Sequence, residues 1–208
     1  MVRSTKPVFD LEAQHRDVEG KVVACLERLS RVLGPLLWDK ARLYRLSPIQ
    51  LKLLIHLYYH PTGRRRITYL AKEFNLTQAT ISDSVSALEA KGLVKRQVSP
   101  DDRRAIDLEL TDRGRELALD LMDWADPLRV GLRSFTPKEK VSLMQALMKV
   151  ISDLKRAGLI DVARLCITCR YFTTETTPGA TTPYYCRLLD RPLAEEELRV
   201  DCVDHEAH

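Results

Sequence analysis

"ITYLAKEFNLTQATISDSVSALEAKGLVKRQVSPDDRRAIDLELTDRGREL", residues 67–117, changes its hydrophobic period part-way along. The first half predicts two short helices. In "ITYLAKEF", Leu70 and Phe74 point inward. In "NLTQATISDSVSALEAKG", Thr77 is placed to cap the N-terminus and Ile81, Val85 and Leu88 recur as a buried stripe. Gly92 stands where a helix C-cap belongs. Beyond it the period becomes two. "LVKRQV" and "IDLELT" read as strands, with Ile106, Leu108 and Leu110 alternating with Asp107 and Glu109. The charged turn "SPDDRRA" joins them into a β-hairpin.

The flanks of this stretch are helical, so the fold class is mainly α. "SPIQLKLLIHLYYHP" opens with Ser47 as N-cap, Pro48 in the first turn and Gln50 three residues after the cap, a capping-box pattern. Leu51, Leu54, Ile55 and Tyr58 form its core face, and "HPTGRRR" is a turn. Residues 9–44 read as a long helix on which Val18, Val22, Leu26, Leu29, Leu33 and Leu37 recur every three or four positions. Gly34-Pro35 is expected to kink or split it. Downstream, Thr111 caps a helix running to about Asp126, where Pro127 is expected to interrupt it. "TPKEKVSLMQALMKVISDLKRAG" starts with Thr136, Pro137 and Glu139, the strongest helix start in the chain. "TTETTPGATTP" is a polar linker within the tail. The expected division is 9–46, 47–111, 112–160 and 161–208.

The 208 residues are 45% hydrophobic and 30% charged, enough to bury a core and stay soluble. No apolar run approaches the ~20 residues of a membrane span. The N-terminus lacks the apolar middle of a signal peptide, so a cytoplasmic location is expected, and that compartment weighs against structural disulfides. The formal charge is +4, unevenly spread. Residues 61–104 carry nine Lys/Arg against five Asp/Glu, and residues 160–208 carry five against nine. A basic middle suits an anionic partner, although two solvated faces would give the same counts.

Helix, turn, helix and hairpin in this order suit double-stranded DNA. The helix beginning near Thr77 can enter the major groove, which admits one helix. Its stripe holds it on the protein, leaving Gln78, Ala79, Ser82, Asp83 and Ser86 outward, beside Thr77 and Thr80. Gln78 can pair with adenine, and Asp83 can accept from cytosine's amino group. Arg103 and Arg104, at the hairpin tip, can reach a narrow minor groove. Lys91, Lys95 and Arg96 are candidates for phosphate contact. Each part alone has a plainer reading: helix-turn-helix units also bind proteins, and charged tips are often only solvated.

Residues 67–117 resemble the winged-helix core of the MarR family of bacterial transcription regulators. The likeness runs through "LA", the Thr/Ser-rich start of the recognition helix, "L-E-x-K-G-L-V-x-R", and "D-D-R-R-x-x-x-L-x-L-T-x-x-G". It extends over roughly residues 20–155. The resemblance implies a winged helix-turn-helix protein that forms a homodimer through residues 9–44 and 112–157 and reads a pseudo-palindrome. It implies that Arg104 is the minor-groove arginine of the wing. Many members bind a small effector, but no residue here identifies one. Trp38, Tyr58 and Tyr69 could line a pocket, though aromatics at helical spacing are more often core. Asp83 departs from the family, which often has a basic residue there.

The tail raises separate chemistry. Four of the five cysteines, Cys166, Cys169, Cys186 and Cys202, follow residue 165 in a C-x2-C-x16-C-x15-C pattern. Two residues between thiolates let both face one metal site, and four thiolates complete either tetrahedral zinc or an iron-sulfur cluster. His205, close to Cys202, could substitute as a ligand to zinc. Free or disulfide thiols are the third option. "CITCRYF", "YYCRLLDRPL" and "VDC" resemble, over some 40 residues, the order in high-potential iron-sulfur proteins. That resemblance implies a 4Fe-4S cluster on the four cysteines, shielded by Tyr171, Phe172, Tyr184 and Tyr185. The tryptophan usual before the fourth cysteine is missing. Cys25 is read as a buried core thiol.

These readings describe a regulator, not an enzyme. No phosphate-binding Gly-rich loop or nucleophile–base set is evident. His56 and His60, one turn apart, lack a third ligand and read as a helix end. The cluster would sense redox state, oxygen or iron. The alternatives are a structural zinc site with a small-molecule effector, or an electron-transfer protein.

Overall fold

The computed structural model describes residues 10, 12, 17–99, 102–174 and 182–208. Seven helices and two small sheets are formed by the described residues. Helix α1 is Val18–Leu43, α2 Pro48–Tyr59, α3 Ile67–Glu73 and α4 Gln78–Ala90. Strands β1 (Val94–Val98) and β2 (Ile106–Leu110) pair antiparallel, with Val94 opposite Leu110. Helices α5 (Asp112–Asp120), α6 (Asp126–Gly131) and α7 (Pro137–Arg156) follow. In the tail, β3 (Phe172–Thr173), β4 (Tyr184–Cys186) and β5 (Arg191–Leu193) form an antiparallel sheet in that order.

The starts of the helices follow local chemistry. Ser47 and Gln50 exchange the two hydrogen bonds of a capping box, as do Thr136 and Glu139. Thr77 Oγ1 accepts from Thr80 N (3.1 Å), and Thr111 Oγ1 from Gly114 N (3.0 Å). Gly92, just past α4, has φ +67°, the left-handed conformation that ends helices.

One core joins α1, α2 and the winged helix. Leu51, Leu54, Leu70, Ile81, Leu88 and Leu108 are fully buried in it, each contributing on the order of 1.5–3 kcal/mol. A second core sits between α7 and the tail: Met148, Leu165, Cys166, Leu193 and Leu198. Residues 161–208 therefore fold onto α7 and share its core. The polar linker falls largely on residues 175–181, outside the described residues, as do most of 9–16 in the first expected helix.

Several expectations are corrected. Helix α1 runs through Pro35 as one element, so the helix is not split there. The ring removes one backbone bond on a largely exposed helix, where water can satisfy the freed carbonyl. Pro127 starts α6 instead of breaking a helix, because α5 already ends at Asp120 and a 3-10 turn, Met122–Ala125, intervenes. The alternation along β2 fails at its first positions: Ile106 is exposed and Asp107 is buried. Arg66 Nε donates to Asp107 Oδ1 (2.9 Å), which draws the carboxylate inward. Leu108 N also donates to Arg65 O (3.2 Å), so the start of α3 is tied to the wing. Cys25 is exposed, because α1 turns Ala24, Leu37 and Ala41 toward the rest of the chain.

Candidate nucleic-acid interface and thiol pocket

Helix α4 is seated by Ile81, Val85 and Leu88, all without solvent exposure. Ser84 is also turned inward and donates to Thr80 O (2.8 Å). This anchoring leaves Thr77, Gln78, Ala79, Thr80, Asp83 and Ser86 exposed and Ser82 partly so, matching the outward set expected from the period. The Thr77 and Thr80 hydroxyls share a hydrogen bond of 2.8 Å, which fixes the first turn that a groove would meet.

The wing stands on a buried polar joint. Asp107 is 2% exposed and lies beside Arg66 and Ser99. Burial pushes its carboxyl up, but hydrogen bonds from Ser99 and Arg66 outweigh that and hold it below the usual range. Arg103 and Arg104 are exposed at the tip, where Arg104 N donates to Asp102 Oδ1 (3.0 Å).

Three expected phosphate contacts are engaged within the chain. Lys91 Nζ donates to Arg45 O (2.6 Å) and Gln50 Oε1 (3.1 Å), binding the end of α4 to the α1–α2 junction. Arg96 bonds Glu89 (2.8 Å) and Ser86 Oγ (3.2 Å), and Lys95 pairs with Glu109 (3.1 Å). Lys95 and Arg96 remain exposed, and ion pairs at such surfaces are weak enough to yield to a phosphate. Lys91 is half-buried and acts as a cross-brace.

Cys166, Cys169, Cys186 and Cys202 all line one cavity of about 30 Å³ in the tail, and all are free thiols. One water needs about 10–15 Å³ on this scale, so the cavity has room for more than one water. The thiols are held by backbone. Cys166 lies in a 3-10 turn with Cys169 just past it, Cys186 ends β4, and Cys202 N donates to Arg164 O (3.0 Å). Arg199 N donates to Cys166 Sγ (3.2 Å), and Arg199 Nη1 to Cys202 Sγ (3.7 Å). Burial, together with the neighbouring thiols, pushes the Cys166 thiol up. Among the described residues no group of three or more His, Cys, Asp or Glu side chains is set to hold a single metal ion.

Of the four expected shielding aromatics, Tyr171 and Phe172 line the cavity. Tyr184 packs against Phe172 (5.1 Å between rings) in the second core, and Tyr185 donates to Asp190. Leu188, Leu189 and Leu193 line the cavity in addition. His205 is directed elsewhere, with its Nε2 2.9 Å from Thr168 Oγ1.

A family model described as MarR family matches residues 46–105. The HTH-type transcriptional repressor NicR of Pseudomonas putida is 31% identical over 115 residues, which are 55% of this chain and 72% of that protein. The chain belongs to the MarR family. An uncharacterized HTH-type transcriptional regulator, YdgJ of Bacillus subtilis, is 31% identical over 52% of the chain, which spans only 57% of that relative's length. Among solved structures, the S. aureus MepR–DNA complex aligns with TM-score 0.55 and 24% identity, covering 63% of this chain and 96% of that one. A MarR-family regulator from Listeria monocytogenes complexed with a 26mer DNA aligns with TM-score 0.57 and 19% identity, covering 66% and 91%. At these identities the likeness is one of fold. In this MarR-family chain the matched residues include α2, α3, α4 and the hairpin tip; the thiol pocket lies beyond them.

Sequence reasoning missed the contacts between tail and head. His56 and His60 stack with ring centroids 3.8 Å apart, and His60 Nε2 lies 2.9 Å from Asp201 Oδ2. The signal was present as a helical-turn His pair, but its partner lies 141 residues away. Trp38 is 55% exposed and Tyr69 meets Arg164, so neither packs as plain core. No helix among the described residues is long and apolar enough to cross a membrane.

Proposed function

We propose that this chain is a DNA-binding transcription regulator that acts as a homodimer on a pseudo-palindromic operator. The supporting observation is the α4–wing surface: groups suited to reading bases face outward from a helix whose inner face is fully buried, beside two exposed arginines on a braced hairpin. Dimerisation accounts for two apolar stripes uncovered in the single chain. One is Val18, Val22, Leu29 and Leu33 on α1; the other is Leu143, Leu147, Val150 and Leu154 on α7.

The second element of the proposal is a 4Fe-4S cluster held by Cys166, Cys169, Cys186 and Cys202. The residues fit such a group. Four free thiols line one cavity with largely apolar walls, and donors are directed at two of the sulfurs. When bound, the cluster supplies one-electron redox chemistry and sensitivity to oxidants. The chain's own part is to orient the thiols, exclude water with Tyr171, Phe172 and Leu193, and direct the Arg199 N–H at sulfur.

The test is anaerobic purification, metal and sulfide analysis, a visible spectrum, and mobility shifts with loaded and stripped protein. Broad absorption near about 400 nm with iron and sulfide present is expected, along with different DNA affinities in the two states. Zinc without colour would assign the site to a structural metal. Equal affinity and equal salt slope would remove the sensing role.

A further inference from the structure

The tail is not a free appendage. It is bolted to the first helix of its own helix-turn-helix unit through one guanidinium. Arg164 lies two residues before Cys166, and its side chain is 8% exposed. Its Nη1 and Nη2 donate to both oxygens of Glu73 on α3 (2.7 and 2.9 Å), and Nη1 also donates to Tyr69 Oη. Its Nε donates to Asp201 Oδ1. The other Asp201 oxygen faces His60 at the end of α2. Arg64 donates to the Val203 carbonyl beside these contacts.

We infer that Arg164 is the positioning residue through which the state of the thiol pocket reaches the DNA-binding head; this rests on the cluster reading above. The reasoning is geometric. Arg164 O accepts from Cys202 N, and Arg199 O accepts from Cys166 N, so Arg164 belongs to the backbone frame that carries two of the four thiols. Its planar fork binds Glu73 bidentately, which fixes orientation as well as distance. A change in the spacing of Cys166 and Cys202 therefore moves the fork. Helix α3 must follow the fork or lose its hold on it. Helix α3 packs on α4, and Phe74-Asn75-Leu76-Thr77 is a tight turn in which Asn75 has φ +52°. Movement of α3 is thereby carried to the first turn of α4, where Thr77 and Gln78 face outward.

The experiment compares the full chain, cluster-loaded and stripped, in the wild type and in Glu73→Gln. Hydrogen exchange at residues 67–76 and affinity for a duplex selected from a random pool by the loaded wild type are both measured. In the wild type, stripping should speed exchange in α3 and change affinity by about tenfold, within the usual range of coupling between sites. In Glu73→Gln, iron and sulfide content should stay at the wild-type level. Its α3 should exchange quickly in both states, and the loaded-to-stripped affinity ratio should fall toward one. A variant that keeps the wild-type ratio and exchange overturns the inference. A wild type that loads iron yet shows equal exchange in both states also overturns it, leaving the cluster reading intact. A wild type that takes up no iron and sulfide overturns both. If Glu73→Gln loses its cooperative melt, Arg164→Lys, which keeps the charge and removes the fork, decides by the same criteria.

Discussion

Gly114→Ala tests the close contact between α5 and the base of the wing. Gly114 lies in the first turn of α5, pressed against the chain as it enters β1. A Cβ added there would sit 2.0 Å from Leu93 O and 3.0 Å from Leu93 C. Ordinary contact begins near 3.4 Å, so backbone must move by more than an ångström. The moving parts are tied together: Thr111 N donates to Leu93 O (3.1 Å) and Thr111 Oγ1 to Gly92 O (2.8 Å). Overpacking costs about 1–3 kcal/mol, and the two strained hydrogen bonds are worth about 1 kcal/mol each. A loss of about 3 kcal/mol follows, or roughly 6–12 °C in melting temperature for a chain of this size. Thermal melts followed by circular dichroism, with urea titrations to confirm the free energy, are the assay. A variant melting within about 2 °C of the wild type would refute the reasoning, because it would mean that the strand and helix are not held at this distance.

Arg104→Ala should leave stability within about 0.5 kcal/mol, since the side chain is exposed, while weakening duplex binding and lowering the salt slope by about one. Unchanged affinity and slope would remove Arg104 from the interface. Acid sensitivity should trace in part to His56, which burial and then the neighbouring His60 lower from 6.5 to about 4, against the pull of the Arg64 carbonyl and Glu73. The folded chain then binds fewer protons than the unfolded one between these values. The stabilisation is complete above about pH 6.5 and is lost as pH falls toward 4, on the order of 3 kcal/mol. Melts of His56→Gln across that range should show a shallower pH dependence than the wild type; parallel curves would show that His56 is not the group.

The winged helix was legible because its information is local. Thr77 with Ile81, Val85 and Leu88, and the switch to period two after Gly92, each need only a few neighbours in sequence. Local patterns also placed the outward face of α4. They misled where a distant partner decides the outcome. Asp107 looked like a solvent position on an alternating strand, yet Arg66, 41 residues earlier, draws it inside. Lys91 looked like a phosphate contact, but Arg45 and Gln50 hold it. The cysteine spacing announced a common site, and the four thiols do share one cavity. Nothing in the spacing told that the frame of that cavity would grip α3, because Arg164, Glu73 and Asp201 are ordinary charges until the chain brings them together.

The thiol cavity is closed by pairing the start of the tail with its end. Arg164 bridges to Asp201, Cys169 to Ala207, and Arg170 N donates to Glu206 O (2.9 Å). Synthesis runs in the opposite sense to this closure. At some 5–20 residues per second, the helix-turn-helix unit emerges several seconds before Cys202. A nascent chain can thus have a complete winged helix, three of the four pocket thiols and no clasp. The pocket can be framed only when residues 199–207 have been delivered. A framed pocket is therefore a mark of a chain translated through that point.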